Sequence, residues 1–258
     1  MLTIEPIPAF NDNYIWLLHD GTTCAVVDPG DAEPVIRVLQ QRGLQLTTIL
    51  VTHHHFDHVG GLSALLTHAQ PRVYGRENPA IAGITHPVSA GDTLDLLGRT
   101  FQVMAVPGHT LDHIAYVSAA VDASPPLLFC GDTLFAGGCG RMFEGTAPVM
   151  HASLSALAAL PADTRVYCAH EYTQANLRFA TAAEPDNATL AERSRVVARQ
   201  RAQNEPTVPS SIAVERATNP FLRCAEPALI ASLKRQGKWQ GDAPESVFAA
   251  LRSWKDEF

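Results

Sequence analysis

Four side chains that can bind metals fall within six positions of this sequence: His53, His55, Asp57 and His58. Imidazole nitrogen and carboxylate oxygen are ligands that suit Zn²⁺, Fe or Mn. Because side chains alternate along an extended backbone, we expect His53, His55 and Asp57 to point the same way. His58 follows where we expect the chain to turn into a helix. This spacing predicts a metal site.

The flanking residues indicate how this segment is held. The apolar run Leu46 to Val51 is typical of a buried strand, whereas Gly60-Gly61 and the apolar-rich Leu62 to Leu66 are typical of a helix start. Ligands at strand ends are fixed by a rigid scaffold. Three further apolar runs lead into His or Asp in the same way: 100–106 into His109, 127–130 into Asp132 and 165–169 into His170.

Spacing alone leaves two choices open near these strand ends. Asp112 and His113 follow His109 closely, and either could replace it as a ligand. Asp28 ends an apolar run, but Asp-Pro-Gly is a frequent turn sequence. Asp28 could therefore lie near the site or cap a turn, and we favour the turn.

Length and composition limit the possible classes of protein. The 258 residues suffice for one large α/β domain or a domain with a smaller appendage. A net charge of −7 disfavours nucleic-acid binding, which depends on Lys and Arg. No apolar run approaches the ~20 residues that cross a bilayer, and the N-terminus lacks signal-peptide features. We expect a cytoplasmic protein with neither a nucleic-acid nor a membrane partner.

The five cysteines are scattered and form no CxxC, so we expect reduced, packed thiols. Cys139 alone is flanked by glycines, in Gly137-Gly138-Cys139-Gly140. That stretch lacks the Lys-Ser/Thr of a phosphate-binding loop and the spacing of a dinucleotide fingerprint.

Charge and histidine are distributed unevenly along the chain. Residues 1–170 hold all eleven histidines and carry 7 Arg and no Lys against 15 Asp and Glu. Residues 171–258 carry 9 Arg and 3 Lys against 11 acidic residues. In this second part, 173–183, 187–203 and 245–258 have helical patterns. Arg252 and Lys255 flank the apolar stripe of the last helix, and spacing alone favours two surface cations.

Several motifs together resemble the metallo-β-lactamase superfamily. They are Thr52-His-His-His-Phe-Asp-His58, Pro107-Gly-His-Thr110, Gly131-Asp-Thr133 and Cys168-Ala-His-Glu-Tyr172. Other motifs resemble the glyoxalase II (hydroxyacylglutathione hydrolase) family within it: Asn11-Asp-Asn-Tyr-Ile-Trp16, Ala136-Gly-Gly-Cys-Gly-Arg141, Phe143-Glu-Gly-Thr146, Glu205-Pro-Thr-Val-Pro-Ser210, Asn219-Pro-Phe-Leu-Arg223 and Lys255-Asp-Glu-Phe258. The resemblance implies an α/β fold, an αβ/βα sandwich over residues 1–172 followed by a small helical domain over 173–258.

The resemblance also implies a ligand set for two divalent metal ions, with Zn expected first and Fe or Mn as alternatives. His53, His55 and His109 would hold the first ion. Asp57, His58 and His170 would hold the second, and Asp132 would bridge the two. On resemblance, this selects His109 over Asp112 and His113.

Glutathione contacts implied by the resemblance fall on five residues: Arg141, Phe143, Tyr172, Arg252 and Lys255. Some members have Lys at position 141 and Tyr at position 143. Arg141 keeps the positive charge, whereas Phe143 lacks the hydroxyl and any hydrogen bond made there.

The reaction implied is hydrolysis of S-D-lactoylglutathione, and of related S-2-hydroxyacylglutathiones, to glutathione and a hydroxy acid during methylglyoxal detoxification. Asp57 and Asp132 would act with a metal-bound hydroxide that attacks the thioester carbonyl. The leaving thiolate has a pKa of about 8.5 and needs no strong acid. We expect a monomer. Two alternatives are a mononuclear-iron persulfide dioxygenase of the same superfamily and a catalytically silent metal-binding scaffold.

Overall fold

The structure is a computed structural model that describes residues 2–258. Met1 lies outside the described residues. The contacts divide the chain into two compact units. The N-terminal unit comprises Met1–Ala105 and Asp112–Gly131, and the C-terminal unit comprises Val106–Leu111 and Asp132–Phe258. The domain boundary after Tyr172 stays a prediction.

The N-terminal unit contains two β-sheets. The first follows chain order: β1 (Thr3–Ala9), β2 (Asn13–His19), β3 (Thr23–Val27), β4 (Gln45–Leu50), β5 (Arg72–Gly75) and β6 (His86–Pro87). Strands β1 to β3 are antiparallel, whereas β3 to β6 run parallel. The second sheet holds an antiparallel series: β7 (Thr93–Leu96), β8 (Arg99–Ala105), β9 (Ile114–Ser118) and β10 (Leu127–Gly131).

The parallel strands of the first sheet need crossovers, and helices supply those from β3 to β4 and from β4 to β5. These are α1 (Ala32–Arg42), α2 (Phe56–Val59) and α3 (Leu62–Ala69). Asp31 caps α1 by accepting a hydrogen bond from the Glu33 amide, and Gly43 ends it with a left-handed φ of 65°. The predicted helix end near Gly43 is confirmed. Val35 and Leu39 of α1 are buried in the core beside the sheet.

Tyr116 on β9 connects the two sheets of the N-terminal unit. Its hydroxyl lies 2.9 Å from the Val51 carbonyl oxygen and 3.1 Å from that of Tyr74, so it bonds to the ends of β4 and β5. Burial raises the pKa of Tyr116 well above its ordinary value, which keeps the hydroxyl a donor. The amide of Ile114 also donates to the Thr52 carbonyl at 2.9 Å. These bonds hold the ligand segment against the second sheet.

The C-terminal unit is mainly helical. Its short strands are β11 (Leu134–Phe135), β12 (Gly138–Cys139), β13 (Arg165–Cys168) and β14 (Ser210–Ser211). Its helices are α4 (Ala147–Ala158), α5 (Thr173–Ala183), α6 (Ala188–Ala202), α7 (Ile212–Thr218), α8 (Pro227–Arg235) and α9 (Pro244–Glu257), with a 3₁₀ turn at Pro220–Leu222. The helical patterns at 173–183, 187–203 and 245–258 are confirmed within one or two residues.

The apolar stripe of α9 docks this helix within the C-terminal unit. Val247 and Leu251 are fully buried, as the spacing predicts, and the Phe248 ring lies 5.9 Å from that of His151 on α4. Phe258 is 63% exposed, although its ring packs edge-on against Phe179. No helix among residues 2–258 is both long and apolar enough to cross a membrane.

All five cysteines are buried and none forms a disulfide within residues 2–258, which confirms the expected packed thiols. Burial raises the pKa of Cys24 and of Cys168 to about 12. It also raises the pKa of Cys139, an effect that nearby Arg252 and Lys255 oppose. Thiols held in this protonated state are poor nucleophiles.

Candidate active site

The predicted ligand segment lies at the end of β4 in the N-terminal unit. His53 Nε2 and His55 Nδ1 lie 3.1 Å apart, so these two imidazoles do point to one place. Asp57 does not continue the extended segment, because α2 already begins at Phe56. Its Oδ2 atom instead lies 3.4 Å from Nε2 of His58 within the same helix. The predicted alternation is therefore right for the histidines and wrong for Asp57.

Asp28 forms the favoured turn and also lies near the candidate ligands, so both possibilities that the sequence left open are realised. The parallel register pairs Val27 with Leu50, which brings Asp28 beside the start of the ligand segment. Its carboxylate accepts hydrogen bonds from the Thr52 amide at 2.8 Å and the Thr52 hydroxyl at 2.7 Å. His58 Nδ1 lies 3.0 Å from Asp28 Oδ2. A turn does occur here, with φ of 53° at Asp28, but the side chain supports the ligands.

This carboxylate fixes which nitrogen of each ring carries the proton. A carboxylate only accepts, so His58 donates from Nδ1 and keeps the Nε2 lone pair available. The Thr52 hydroxyl donates to Asp28, and can therefore accept from His53 Nδ1, which lies 3.0 Å away. His53 is thus also left with a free lone pair on Nε2. Metal-binding atoms of Asp28, His53 and His58 lie within 4.8 Å of one another.

The two residues that spacing left open, Asp112 and His113, have other roles in the N-terminal unit. Asp112 lies 2.9 Å from Nδ1 of His54 and accepts a hydrogen bond from Asn78 at 2.7 Å. His113 is fully buried, and its ring stacks on that of His53 at 4.5 Å with 17° between the planes. Asp112 and His113 therefore contact the histidine segment and help to hold His54 and His53 in place.

In the C-terminal unit, Asp132 lies between two histidines. Its Oδ2 is 3.4 Å from Nε2 of His109, and its Oδ1 is 3.4 Å from Nε2 of His170. The carbonyl of Arg141 accepts from His109 Nδ1 at 2.7 Å, which leaves the Nε2 lone pair directed at Asp132. All three side chains are at least nine-tenths buried. Three of the predicted ligands are thus brought together here.

The donor atoms fit divalent metal ions. Neighbouring ligand atoms of a tetrahedral ion with bonds of about 2.1 Å lie about 3.4 Å apart. Three of the separations above are 3.4 Å, and the His53–His55 separation is 3.1 Å. Because the Nδ1 atoms of His53, His58 and His109 face acceptors, the Nε2 lone pairs remain available for an ion. The chemistry and spacing of both clusters are those of divalent-metal ligands.

Aromatic side chains flank the cluster of the C-terminal unit. Tyr172 stacks on His170 with centroids 4.7 Å apart and only 6° between the planes. Phe135 packs edge-on against both rings. Phe143 is 62% exposed and lies edge-on to His109 at 5.3 Å. Phe143 and Tyr172 therefore present apolar surface beside two histidines.

The cations of α9 are not surface residues of the kind that spacing alone favours. Arg252 is buried, and its guanidinium donates to the Cys139 carbonyl at 3.3 Å and to Asp256 at 2.9 Å. Its Nε has no hydrogen-bond partner among residues 2–258. Arg141 lies 3.6 Å from the same Asp256 oxygen. The two arginines thus converge on one carboxylate.

Lys255 is the second cation of α9. It donates to the Asn176 side-chain oxygen and lies over the rings of Phe179 and Phe221. Burial lowers its pKa from 10.5 to about 8. A partly buried ammonium with a lowered pKa is typical of a functional position, and it gives Lys255 a charge that changes near neutral pH.

The hairpin β11–β12 includes Phe135 and Cys139. Two buried side chains, those of Asn219 and Glu215, hold it in place. Asn219 donates to the carbonyls of Phe135 at 3.2 Å and Gly138 at 2.9 Å. Glu215 accepts from the Gly137 amide at 2.8 Å. Asn219, the first residue of the motif Asn219–Arg223, therefore positions the glycine-rich stretch together with Glu215. That stretch forms part of a hairpin with a structural role.

Fold and site together define a protein of the metallo-β-lactamase superfamily. Residues 9–170 match the family described as "Metallo-beta-lactamase superfamily", and residues 171–258 match "Hydroxyacylglutathione hydrolase C-terminus". The chain is 55% identical to a hydroxyacylglutathione hydrolase of Chromohalobacter salexigens and 54% identical to one of Pseudomonas aeruginosa, with complete coverage of both proteins in each comparison. The chain belongs to the hydroxyacylglutathione hydrolase family and is a hydrolase.

Solved structures of lower identity share the fold. A crystal structure of ETHE1 from Myxococcus xanthus has a TM-score of 0.65 and 25% identity, with 99% of this chain and 98% of that chain covered. A structure of TTHA1623 in a di-iron-bound form has a TM-score of 0.59 and 25% identity, and it covers 85% of this chain and 100% of that chain. These likenesses confirm the predicted fold class.

Proposed function

We propose that this hydrolase is binuclear and cleaves the thioester of S-D-lactoylglutathione and related S-2-hydroxyacylglutathiones, giving glutathione and D-lactate or its analogue in methylglyoxal detoxification. The observation that carries the proposal is the pairing, on one chain, of a histidine–carboxylate cluster in each unit with the cationic surface of the C-terminal unit. The names of full-length relatives at 54–55% identity give the substrate class.

The proposed metal ligands divide into two sets. His53, His55 and His109 hold the first ion, Asp57, His58 and His170 hold the second, and Asp132 bridges them. The two separate histidine contacts of Asp132, one to each oxygen, support this bridging role. We expect Zn in both positions, and the di-iron-bound neighbour makes iron the first alternative.

Bound divalent ions supply a water whose pKa falls towards ~7 and a positive charge for the developing oxyanion. The residues of the chain hold this chemistry in place. Asp132 sets the positions of His109 and His170, while the Asn13 amide donates to Asp57 Oδ2 at 2.9 Å and fixes that carboxylate. The departing thiolate has an ordinary pKa of about 8.5 and leaves without a proton donor.

Substrate binding is assigned to the C-terminal unit. Glutathione carries two carboxylates, and an acidic protein repels it unless cations lie at the site. Arg141, Arg252 and Lys255 supply three positive charges, of which Asp256 neutralises one. Tyr172 and Phe143 supply apolar surface for the peptide. We further propose that the chain acts as a monomer, a state that sedimentation analysis would measure.

Assaying hydrolysis of S-D-lactoylglutathione together with metal analysis of the same sample tests the proposal. We expect release of glutathione and D-lactate, two ions per chain, and far weaker hydrolysis of a D-lactoyl thioester of N-acetylcysteamine, which lacks the glutathione carboxylates. If oxygen is instead consumed with glutathione persulfide, at one iron per chain and without thioester hydrolysis, the persulfide dioxygenase replaces the proposed function.

A further inference from the structure

The motif Glu205–Ser210 of the C-terminal unit has no part in the chemistry described above, yet it lies against the segment that carries His170. Its last residue begins β14, which pairs antiparallel with β13, the strand that leads to His170. Beyond His170 the same motif makes a second contact, in which the Thr207 amide donates to Glu171 Oε2 at 2.8 Å. The motif is therefore attached to the chain on both sides of a proposed metal ligand.

The Thr207 hydroxyl bonds to the residues on either side of Tyr172. Its oxygen lies 2.5 Å from Glu171 Oε1 and 2.6 Å from the hydroxyl oxygen of Thr173. Because a carboxylate only accepts hydrogen bonds, Thr207 donates to Glu171 and accepts from Thr173. Thr207 therefore bonds to both oxygens of Glu171, whose side chain is only 6% exposed. Thr173, the first residue of α5, is buried as well.

These bonds hold the backbone that places the Tyr172 ring on the His170 ring. The two rings are parallel within 6°, with centroids 4.7 Å apart. Because consecutive Cα atoms are a fixed ~3.8 Å apart, holding residues 171 and 173 leaves the backbone at Tyr172 little freedom. The stacked ring of Tyr172 in turn limits the rotation of the His170 imidazole. A contact at Thr207 is thus transmitted to a proposed ligand through observed bonds and a ring stack.

We propose that Thr207 and Glu171 are positioning residues, which keep Tyr172 stacked on His170 and so keep His170 in the orientation that binds the second ion. This inference rests on the proposed function for the assignment of His170 to that ion. A ligand ring that turns freely loses this freedom when the ion binds, and the loss weakens binding. A ring that is already held binds the ion without this cost.

The experiment measures the stepwise affinities of the full chain for Zn²⁺ by competition with a chromophoric chelator. Thr207→Val removes the hydroxyl but keeps the size and the amide of this residue, whereas Thr207→Ser keeps the hydroxyl. Glu171→Gln leaves one acceptor oxygen facing the two donors of Thr207. Thr181→Val is a matched control, because Thr181 lies on α5 and bonds to the Leu177 carbonyl of its own helix at 2.8 Å. The free energy of unfolding is measured to show that each variant is folded.

We expect Thr207→Val and Glu171→Gln each to weaken the binding of one ion by about three- to tenfold, less than the roughly 10- to 100-fold that loss of a direct partner of a ligand costs. The other ion should bind as in the wild type. The double variant should lose little more than either single variant, because both substitutions disrupt the same hydroxyl–carboxylate contact. Thr207→Ser and Thr181→Val should bind both ions as the wild type does.

Hydrolysis of S-D-lactoylglutathione is measured on the same samples, so that the two proposals are tested separately. Unchanged Zn²⁺ affinities in Thr207→Val and Glu171→Gln, or an equal loss for both ions, would overturn the inference while leaving the hydrolase function intact. If the wild type binds two ions but does not hydrolyse the thioester, the proposed function fails, and the comparison of Zn²⁺ affinities still decides the inference.

Discussion

One carboxylate, that of Asp28, orients ligands assigned to both ions. It contacts His58 directly and His53 through the Thr52 hydroxyl. Such outer contacts fix the tautomer and the ring orientation of a ligand, and their loss costs about 10- to 100-fold in metal affinity.

We expect Asp28→Ala to weaken binding of metal by this factor while the chain stays folded, measured by competition with a chromophoric chelator. Asp122→Ala is a matched control, because Asp122 has nearly the same left-handed φ, 51° against 53°, and is exposed. Equal metal affinity in the two variants would show that Asp28 does not position the ligands.

Asp132 should be the most sensitive ligand. Its two oxygens each contact a different histidine, so one substitution removes a contact from both. We expect Asp132→Ala to lower kcat more than His109→Ala or His170→Ala, and His170→Ala to retain part of its metal. Comparing kcat and metal content across the three variants checks this. A variant at Asp132 that keeps most of its kcat and both ions would rule out the bridge.

The charge of Lys255 should make substrate binding depend on pH. Its pKa is lowered to about 8 by burial, so the ammonium is present below pH 8 and is lost as the pH rises through that value. We expect KM for S-D-lactoylglutathione to rise above pH 8 in the wild type. In Lys255→Arg the rise should be absent, because arginine stays protonated. A KM profile that is identical in both proteins would remove Lys255 from the carboxylate contacts.

At the scale of elements, α9 contacts the hairpin β11–β12 and carries two of the cations that we propose bind the substrate. Arg252 donates to the Cys139 carbonyl, and the same guanidinium is within reach of Asp256. Replacing Arg252 by alanine removes a positive charge and the hydrogen bond between α9 and the hairpin. A charged hydrogen bond contributes about 1.5–3 kcal/mol, reduced where water has access.

We expect Arg252→Ala to raise KM by roughly three- to thirtyfold with kcat nearly unchanged, as for loss of uniform binding. Arg235→Ala on α8 serves as the control, because Arg235 is an exposed cation of the same unit paired with Asp186. The KM effect should shrink for a thioester without the glutathione carboxylates. An unaltered KM at low salt would contradict the role given to α9.

Sequence pattern predicts the long elements well and the short ones poorly. The helix of α1 is marked by Asp31 and Gly43, and the strands that lead into ligands are continuous apolar runs. Strand β1 gives a weak signal, because Pro6 and Pro8 disfavour a strand, although edge positions tolerate them. Helix α2 has only four residues, too few for a periodic pattern to appear.

The candidate site was predictable where a ligand follows an apolar run, since strand ends share that signal. Asp28 carries the same signal, at the end of β3, but its Asp-Pro-Gly context favours a turn. Only the parallel register of β3 and β4 brings it to His58. The burial of Arg252 could likewise not be predicted from the sequence pattern, because tertiary packing determines whether the flank of a helix is exposed or covered. The hairpin that covers it lies 113 positions away.

At the scale of the whole molecule, the proposed function requires an acidic chain with a net charge of −7 to bind an anionic thioester. The His-rich part supplies the ligands and most of the negative charge, while residues 171–258 supply two of the three assigned cations. Long-range repulsion is screened by salt, with a Debye length of about 10 Å at 0.1 M. We therefore expect local contacts of Arg252 and Lys255 to determine affinity for the substrate more than net charge does.

The central claim is that two ions on this chain are needed for thioester hydrolysis. The most direct measurement is a titration of chelator-treated protein with Zn²⁺ in stoichiometric steps, following hydrolysis of S-D-lactoylglutathione and bound metal at each step. The account predicts that full activity returns only as occupancy approaches two ions per chain. Full activity at one ion per chain, or two bound ions without hydrolysis of the thioester, would contradict it.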